Sequence, residues 1–223
     1  MKKVVLFLGS ALVLLVAGTG NGCKKDTDPP NPNSLKEEFD DVTSLSQKGW
    51  LFTNNSTPPG IASWQQGFNG VGKGGPSGFS AYSYKNYSIE YVYVGNYYGS
   101  PNTIISSWMI TPPLDIKNGD RLSFYTRAES ISGFADRLQV RLNMEDNTVD
   151  VGSSATSVGK FTTILKDINE SLVVDGYPKA WTKYEVTISG LSAAKQARIA
   201  FRYCPEGGMS SGIGVDLFEF TSL

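Results

Sequence analysis

Residues 121–127 read RLSFYTR, and apolar and polar side chains alternate over the whole segment. The positions of one set are Leu122, Phe124 and Thr126, and the positions between them are Arg121, Ser123, Tyr125 and Arg127. Successive side chains of a β-strand point to opposite faces of a sheet, so a period of two predicts a strand with one buried face. The segment therefore favours an antiparallel sheet over a helix.

The same alternation recurs along the chain. Including the first segment, the strand candidates are 36–42, 60–66, 87–94, 104–110, 121–127, 137–142, 161–166, 183–188, 198–203 and 213–220. Glycine, proline and asparagine separate these segments, and none shows an apolar repeat of 3.6 residues over three turns. About ten short strands joined by turns predict an all-β fold, a sandwich of two antiparallel sheets.

The start of the chain has the layout of a secretory signal peptide. Two lysines precede an apolar run of 14 residues, Val4–Ala17, which is shorter than the roughly 20 residues that a membrane-spanning helix needs. Cys23 stands at the predicted cleavage point and resembles the acylated cysteine of a bacterial lipoprotein, although Gly20 and Asn21 depart from the usual pattern. We expect residues 1–22 to be a lipoprotein signal peptide; the alternative is ordinary secretion with an unmodified cysteine.

A polar segment follows the cysteine. It contains three prolines and no large apolar residue over 24–34, which predicts a flexible, lipid-anchored tether over 23–35 and a single domain over 36–223. Asp26 and Asp28 resemble the export signals of surface lipoproteins in Bacteroidetes-type bacteria. We therefore expect an outer-membrane lipoprotein at the cell surface, with the periplasmic face as the alternative.

The charge balance and the absence of histidine limit the chemistry. The chain has 20 basic and 21 acidic residues and a net charge of −1, so nothing favours nucleic acid or an acidic membrane surface as a partner. Without histidine, Ser-His-Asp catalysis, Cys-His catalysis and histidine-ligated zinc are excluded. Cys204 is the only cysteine besides Cys23, so the domain has no internal disulfide, and its apolar strand pattern predicts an inert buried thiol.

An ordered set of motifs covers residues 37–223. They are GW at 49–50, Trp64, SSWMITPPLDI at 106–116, RLSFYTRAES at 121–130, DRLQVRLN at 136–143, WTKYEVTISGL at 181–191, ARIAFRY at 197–203 and GVDLFEF at 214–220. This order resembles the choice-of-anchor J and cleaved-adhesin domains, relatives of the gingipain adhesin modules and of MAM domains. The resemblance implies a jelly-roll β-sandwich of the concanavalin A-like or galactose-binding-like kind. It further implies an extracellular role in adhesion or in carbohydrate or protein binding, often with structural calcium, and no catalytic activity.

The resemblance also implies candidate calcium ligands. The family often holds a cation between an early F-(E/D) and a late (I/V)-D motif, which correspond to Asp40 and Asp216. The alternation places Asp216 on the core side, where a carboxylate needs a metal or several donors. Asp41 and Asp136 are further candidates. The alternative is that Asp216 only accepts backbone hydrogen bonds.

All six arginines lie on three of the predicted strands. They are Arg121, Arg127, Arg137, Arg141, Arg198 and Arg202, and each pair is opposite in parity to its apolar neighbours. If the three strands share one sheet, six guanidinium groups project from one face, with Tyr125 and Gln139 among them. Such a face is a candidate platform for an acidic glycan or an acidic protein patch. The alternative is a solvated face neutralised by carboxylates such as Glu185 and Glu129.

A tyrosine-rich run occupies residues 82–100. Tyr97 and Tyr98 follow a predicted strand and lie beside turn residues, so we expect them to be exposed and to bind a ligand. The alternative is that the tyrosines of this run only pack on the sheet, since tyrosine is common in strands.

No motif for catalysis occurs. The P-loop pattern is absent, and GVGKGG at 70–75 lacks its spacing. GMSSG at 208–212 matches GxSxG in its letters, but the chain has no histidine to complete a triad. We predict a non-catalytic surface module that binds an extracellular glycan or a surface protein. One alternative is a structural subunit of an envelope complex. The least favoured alternative is a polysaccharide hydrolase that uses paired carboxylates, with Glu37, Glu38 and Glu90 as candidates.

Overall fold

The computed structural model describes residues 31–58, 63–67, 79–82, 90–95, 102–205 and 210–223. These residues belong to one compact unit, Asn31–Leu223. The predicted signal peptide, Cys23, Tyr97 and Tyr98 lie outside the described residues, and so does most of the predicted tether. No helix in the described part of the chain is long and apolar enough to cross a membrane.

The described residues form twelve strands and a single 3-10 turn at Val42–Ser44. The strands are β1 (Leu35–Glu37), β2 (Leu51–Asn54), β3 (Gln65–Gln66), β4 (Val92–Val94), β5 (Ser107–Ile110), β6 (Leu114–Ile116), β7 (Arg121–Ala128), β8 (Leu138–Asn143), β9 (Thr163–Ile168), β10 (Thr182–Thr187), β11 (Lys195–Tyr203) and β12 (Ile213–Thr221). All strand pairs are antiparallel.

The strands form two sheets of six. In the first, which we call the front sheet, the order is β10-β7-β12-β4-β3, and β1 also pairs with β12. In the second, the back sheet, the order is β2-β5-β11-β8-β9, and β6 also pairs with β11. Pro112 and Pro113 separate β5 from β6, as expected for residues that cannot donate to a sheet ladder. The predicted all-β sandwich is confirmed.

The main core lies between the two sheets. Phe124 and Phe218 of the front sheet pack edge-on against Phe201 of the back sheet, with ring centroids 5.1 and 5.8 Å apart. All three rings are fully buried, and burial of such a side chain contributes about 1.5–3 kcal/mol. The inward positions are the apolar ones of each alternating segment, so the period-two pattern correctly identified the core.

A second, smaller core covers the back sheet from outside. The loop between β8 and β9, residues 144–162, which we call the cover loop, places Val151 and Phe161 against Trp108, Ile110 and Ala200. Met109 points into the main core, so its neighbour Trp108 points outward under this loop. The outer face of the back sheet is therefore buried around Trp108.

The ends of the domain differ from the prediction. Asn31 Nδ2 donates to Ser222 O at 3.2 Å, and Ser222 N donates to Ser34 Oγ at 3.1 Å. Residues 31–35, assigned to the tether by composition, therefore belong to the folded domain. Strand β1 ends at Glu37 rather than at 42, because Phe39 adopts a positive φ of 58°, which breaks an extended strand.

Candidate binding site

Six aromatic residues gather on the outer face of the front sheet. Tyr82 stacks on Tyr125 with ring centroids 3.7 Å apart and planes 17° apart. Trp181 packs edge-on against Phe79 at 5.3 Å. We call the set the aromatic cluster; its members are Phe79, Tyr82, Tyr91, Tyr93, Tyr125 and Trp181.

The strand pattern places these rings outward. Val92 and Val94 of β4 face the main core, so Tyr91 and Tyr93 face away from it. Gly214 on the neighbouring strand allows the cluster to lie directly on the sheet. A Cβ at this position would be 2.7 Å from the Phe79 ring and 2.9 Å from the Trp181 ring, closer than side chains tolerate. Glycine at 214 thus makes room for two aromatic rings.

The cluster has a buried base and an open rim. Phe79, Tyr91 and Tyr93 are buried, whereas Tyr82 is 39% exposed and Trp181 is half-buried. Trp181 Nε1 donates to Ser80 O at 2.8 Å, which fixes the orientation of its ring. The hydrogen bond to Tyr82 and partial burial raise the pKa of Tyr125 to about 12. The rim is therefore a preorganised aromatic surface that contacts solvent.

Arg127 is part of this arrangement. Its guanidinium carbon lies 4.4 Å from the centroid of Phe79, within the range of a cation–π contact. Nη2 donates to Ser130 Oγ at 2.7 Å and Nε to Ala128 O at 3.2 Å. Burial lowers the pKa of Arg127. This residue supports the cluster from one side and is held in place there.

A groove runs beside the cluster along strands β7, β10 and β12. It has a volume of about 360 Å³, and its polar lining comprises Arg121, Ser123, Lys183, Glu185, Thr187, Glu219 and Thr221. Lys183 Nζ donates to Glu185 Oε1 at 2.8 Å, which lowers the pKa of that carboxyl. The Arg121 guanidinium makes no hydrogen bond or ion pair with any residue that the structure describes, although the backbone of Arg121 is paired with β10 and β12. The groove thus offers hydroxyls, charges of both signs and a guanidinium that is unpaired among the described residues.

The predicted face of six arginines is wrong. Arg121 and Arg127 lie on β7 of the front sheet, whereas Arg137, Arg141, Arg198 and Arg202 belong to β8, β11 and the residue before β8 in the back sheet. Parity determines which side of its own strand a residue occupies, but it does not assign the strand to a sheet. The arginines therefore divide between two opposite outer faces.

The back-sheet arginines fasten the cover loop and its neighbours. Arg202 Nη2 donates to Ala155 O at 2.6 Å, and Arg141 Nη1 donates to Phe161 O at 2.9 Å. Both side chains are buried, and burial lowers the pKa of each. A solvated face is therefore not found on this sheet either, because the cover loop replaces water as the acceptor.

The other two arginines of this sheet are also occupied. Arg137 forms a two-pronged ion pair with Asp167, at 2.9 and 2.6 Å. Arg198 Nη1 donates to Thr111 O at 2.7 Å, and Nε donates to Asn147 O. Cys204 beside this network is half-buried rather than buried as predicted. Desolvation raises the pKa of its thiol, and its inertness stays a prediction.

Asp216 does not face the core as predicted. The register of β12 against β7 shifts between Asp216 and Glu219, and Leu217 has a positive φ of 49°. This bulge adds one residue, which reverses the parity of everything before it. Asp216 therefore lies opposite Tyr125 on the outer face, where it accepts hydrogen bonds from Tyr82 N at 2.9 Å and Leu217 N at 2.7 Å. The alternative prediction, backbone hydrogen bonds to Asp216, matches the structure.

The remaining acidic candidates have different surroundings. Asp136 is buried and accepts hydrogen bonds from Tyr203 OH, Ser211 N, Ser211 Oγ and Gly212 N, and desolvation raises its pKa. Asp40 is exposed. Asp41 caps the 3-10 turn by accepting from Thr43 N. Each carboxylate has its own structural environment.

These carboxylates do not fit a shared calcium site. Among the described residues, no group of three or more histidine, cysteine, aspartate or glutamate side chains is placed to hold a metal ion. Asp136 and Asp216 are the most buried of the candidate ligands. The oxygens of Asp136 already accept hydrogen bonds from four donors. Structural calcium therefore remains a prediction from the family resemblance alone.

Sequence reasoning missed two rim residues, Tyr82 and Trp181, as a pair. They are 99 positions apart in the sequence and meet only because β7, β10 and β12 are neighbours. The tyrosine-rich run did begin at Tyr82, so composition pointed to this segment. The stacking partner, Tyr125, was among the predicted binding residues.

Comparison with known proteins agrees on the fold. No protein-family model matches the sequence, and no curated protein matches it. Among solved structures, the K3 cleaved adhesin domain of Lys-gingipain from Porphyromonas gingivalis is 18% identical with a TM-score of 0.56, over 85% of this chain and 99% of that domain. The K1 domain is 19% identical with a TM-score of 0.53, over 85% and 98%. The K2 domain gives 15% and 0.51, over 85% and 99%. The chain therefore has the cleaved-adhesin fold, as the family resemblance implied.

Proposed function

We propose that the protein is a non-catalytic binding module that recognises an extracellular glycan on the outer face of the front sheet. The observation that carries the proposal is the partly exposed aromatic ring of Tyr82, which stacks on Tyr125 and packs edge-on against Trp181. Aromatic rings held in this way offer a large apolar contact area at a small cost in conformational entropy. A sugar ring can pack on such a surface while its hydroxyls turn to polar groups nearby.

The groove supplies those polar groups. Arg121 lies on the same strand face as Tyr125, four residues away, which corresponds to about 13 Å. A ligand that contacts both the rim and Arg121 must be extended, so we expect several sugar units rather than one. The hydroxyls of Ser123, Thr187 and Thr221 lie along this path.

The charges of the groove favour a neutral glycan. Two basic residues, Arg121 and Lys183, are balanced by two acidic residues, Glu185 and Glu219. The acidic ligand expected from the sequence depended on six arginines sharing one face, and four of them lie on the back sheet. A balanced set of charges attracts neither sign strongly but can donate to and accept from sugar hydroxyls.

The same groove argues against hydrolysis as the function. A glycosidase needs one carboxyl that stays protonated to act as the acid. The Lys183 ammonium lowers the pKa of Glu185, so this carboxyl is ionised at neutral pH. We expect no release of reducing sugar from any polysaccharide that the protein binds; product release would support the hydrolase alternative.

We further propose that a lipid on Cys23 attaches the domain to the outer membrane. Asn31, the first residue with a described contact, is eight positions after Cys23, with seven residues between them. A chain of this length reaches at most about 29 Å when fully extended. Incorporation of labelled palmitate by the wild type and not by Cys23→Ser checks the attachment.

Glycan binding is tested with the purified protein and a panel of polysaccharides. The neutral members are dextran, β-glucan and mannan, and the acidic members are polygalacturonate and alginate. We expect retention by at least one neutral member, measured by affinity electrophoresis, and a loss of at least about tenfold in Tyr82→Ala, since an aromatic contact is worth about 1.5 kcal/mol.

Ile164→Ala is the matched control, because Ile164 is 47% exposed on the back sheet. Its binding should equal that of the wild type. Binding to acidic members only, or equal losses in the two variants, would contradict the proposal.

An assembly role has one observation in its favour. Ile131, Val173 and Val174 are 44%, 57% and 51% exposed on two loops that are linked by a hydrogen bond from Gly133 N to Asp175 Oδ1. Neighbouring exposed apolar side chains are common at protein contacts. A defined oligomer in light scattering that is lost in Val173→Asp would support this second candidate.

A further inference from the structure

Tyr93, at the base of the aromatic cluster, contacts two acceptors with one hydroxyl. Its oxygen lies 2.9 Å from Glu129 Oε1 and 3.1 Å from Ser211 O. A phenol carries a single proton. Both contacts are hydrogen bonds at the same time only when Glu129 is protonated and donates to Tyr93, which then donates to Ser211 O.

Glu129 lies in a corner that disfavours its charge. The side chain is only 4% exposed. Burial raises its pKa to about 7, with a smaller contribution from Asp136, although the hydrogen bond with Tyr93 acts in the opposite direction. Asp136 itself is surrounded by donors, including Tyr203 OH. The other titratable groups around this corner are Asp175, Tyr177 and Lys179.

The same corner supports the binding face. Glu129 N donates to Gly212 O at 3.2 Å, and a Cβ at Gly212 would overlap the Tyr93 hydroxyl. Tyr93 packs against Phe79 with ring centroids 6.3 Å apart. Two residues further along, Gly214 lies beneath Phe79 and Trp181. The segment 210–212 and Tyr93 are therefore the support on which the cluster rests.

We infer that Glu129 is a protonation-dependent positioning residue for the aromatic cluster. In its neutral form it donates to Tyr93, and Tyr93 holds the Ser211 carbonyl. When Glu129 loses its proton to solvent, the Tyr93 proton turns to the new carboxylate and the bond to Ser211 is lost. The support of the cluster then loosens, so the binding face is firmer in mildly acidic than in alkaline surroundings.

The sign of the pH dependence follows from linkage. In the unfolded chain Glu129 titrates near its ordinary value of 4.5, and in the folded chain near 7. Between these values the folded state binds more protons than the unfolded state, so stability falls as the pH rises from about 4.5 to about 7. Above that range both states are ionised and this contribution is constant.

The direct test is a carboxyl titration of the intact protein by carbon NMR. We expect a Glu129 midpoint near 7 together with faster exchange of the Gly212 amide above the midpoint, after correction for the intrinsic exchange rate. A midpoint near 4.5, or exchange that does not follow the titration, would overturn the inference.

Glu129→Gln separates positioning from simple packing. The glutamine amide donates to Tyr93 at every pH, as neutral glutamate does, so we expect wild-type folding and Gly212 exchange that no longer depends on pH. Equal pH dependence in variant and wild type contradicts the inference. If the variant does not fold, the wild-type titration alone decides.

The binding consequence rests on the proposed function, whereas the titration does not. With a neutral polysaccharide that the panel identifies, we expect retention to weaken between pH 6 and 8 in the wild type and to stay constant in Glu129→Gln. A midpoint near 7 with no polysaccharide bound would reject the glycan proposal and leave the positioning role intact. Binding without any pH dependence would support the glycan proposal and reject the positioning role of Glu129.

Discussion

The two outer faces of the sandwich use the same elements in opposite ways. On the front sheet Arg127 lies 4.4 Å over Phe79, and on the back sheet Arg202 lies 5.2 Å over Trp108. The front pair ends in an open rim at Tyr82, whereas the cover loop seals the back pair completely. An arginine–aromatic pair therefore does not mark a binding surface by itself. Whether the pair can contact a ligand depends on whether a loop covers it.

The cover loop also explains why the back face is polar in sequence and buried in structure. Its backbone carbonyls at Ala155 and Phe161 accept from the arginines below, so charged side chains are buried with their donors satisfied. On the front face no loop in the described part of the chain covers the groove, and the Arg121 side chain has no hydrogen-bond partner there. The difference between the faces is one of coverage rather than of composition.

Removing the Phe161 ring from the small core under the cover loop should have the largest effect on stability. Phe161→Ala deletes a fully buried ring, and changes of this kind cost about 3–5 kcal/mol. We expect that loss in urea unfolding, together with increased protease cleavage within 144–162. Tyr82→Ala is the front-face counterpart and should lose far less stability. Similar losses in both would mean that the two faces are equally buried.

Replacing the buried arginine tests how the cover loop is held. Arg202→Met keeps an apolar stem but leaves Ala155 O without its donor. Ser106 Oγ and Gln139 Oε1 each lose one of two donors, because they still accept from Trp108 Nε1 and Arg141 Nε. Unpaired buried acceptors cost about 1–3 kcal/mol, and we expect a loss of that size by chemical denaturation. Polysaccharide retention should not change, because this arginine is on the opposite sheet. A loss of retention with stability preserved would place the site on the back face.

Arg121→Ala should give the smallest effect on stability and a separate effect on binding. The side chain is exposed, so thermal unfolding should match that of the wild type. Retention of a neutral polysaccharide should fall severalfold, since a hydrogen bond to a charged group is lost. Thr187 opposite it in the sheet offers Thr187→Ala as a milder comparison. Unchanged retention in both variants would confine the site to the aromatic rim.

Period-two alternation predicted most strands and the side of each strand that is buried. Strands β7, β8, β10, β11 and β12 all occur where the pattern placed them, because the alternation of apolar and polar residues is a property that the sequence shows directly. β2 and β6 were missed, since four and three residues are too few to display a period. The allocation of strands to sheets was not readable, because it depends on long-range pairing.

Single-residue deviations defeated the finer predictions. One positive φ at Leu217 moved Asp216 to the opposite face, and neither hydrophobicity nor turn composition signals such a bulge. Asp136 was predicted as a candidate calcium ligand, whereas in the structure it accepts hydrogen bonds from residues 203, 211 and 212. The aromatic rim likewise joins residues that are far apart in the sequence.

The pairing of β1 with the end of β12 has a mechanical consequence. β1 lies beside Phe218–Phe220, whereas the aromatic cluster sits above Gly214, roughly 20 Å away along the same strand. Traction on the chain ahead of Asn31, opposed by a load held at the cluster, acts parallel to both strands. It therefore strains all the β1–β12 hydrogen bonds together instead of breaking them one at a time, so this pairing resists a load directed along the strands.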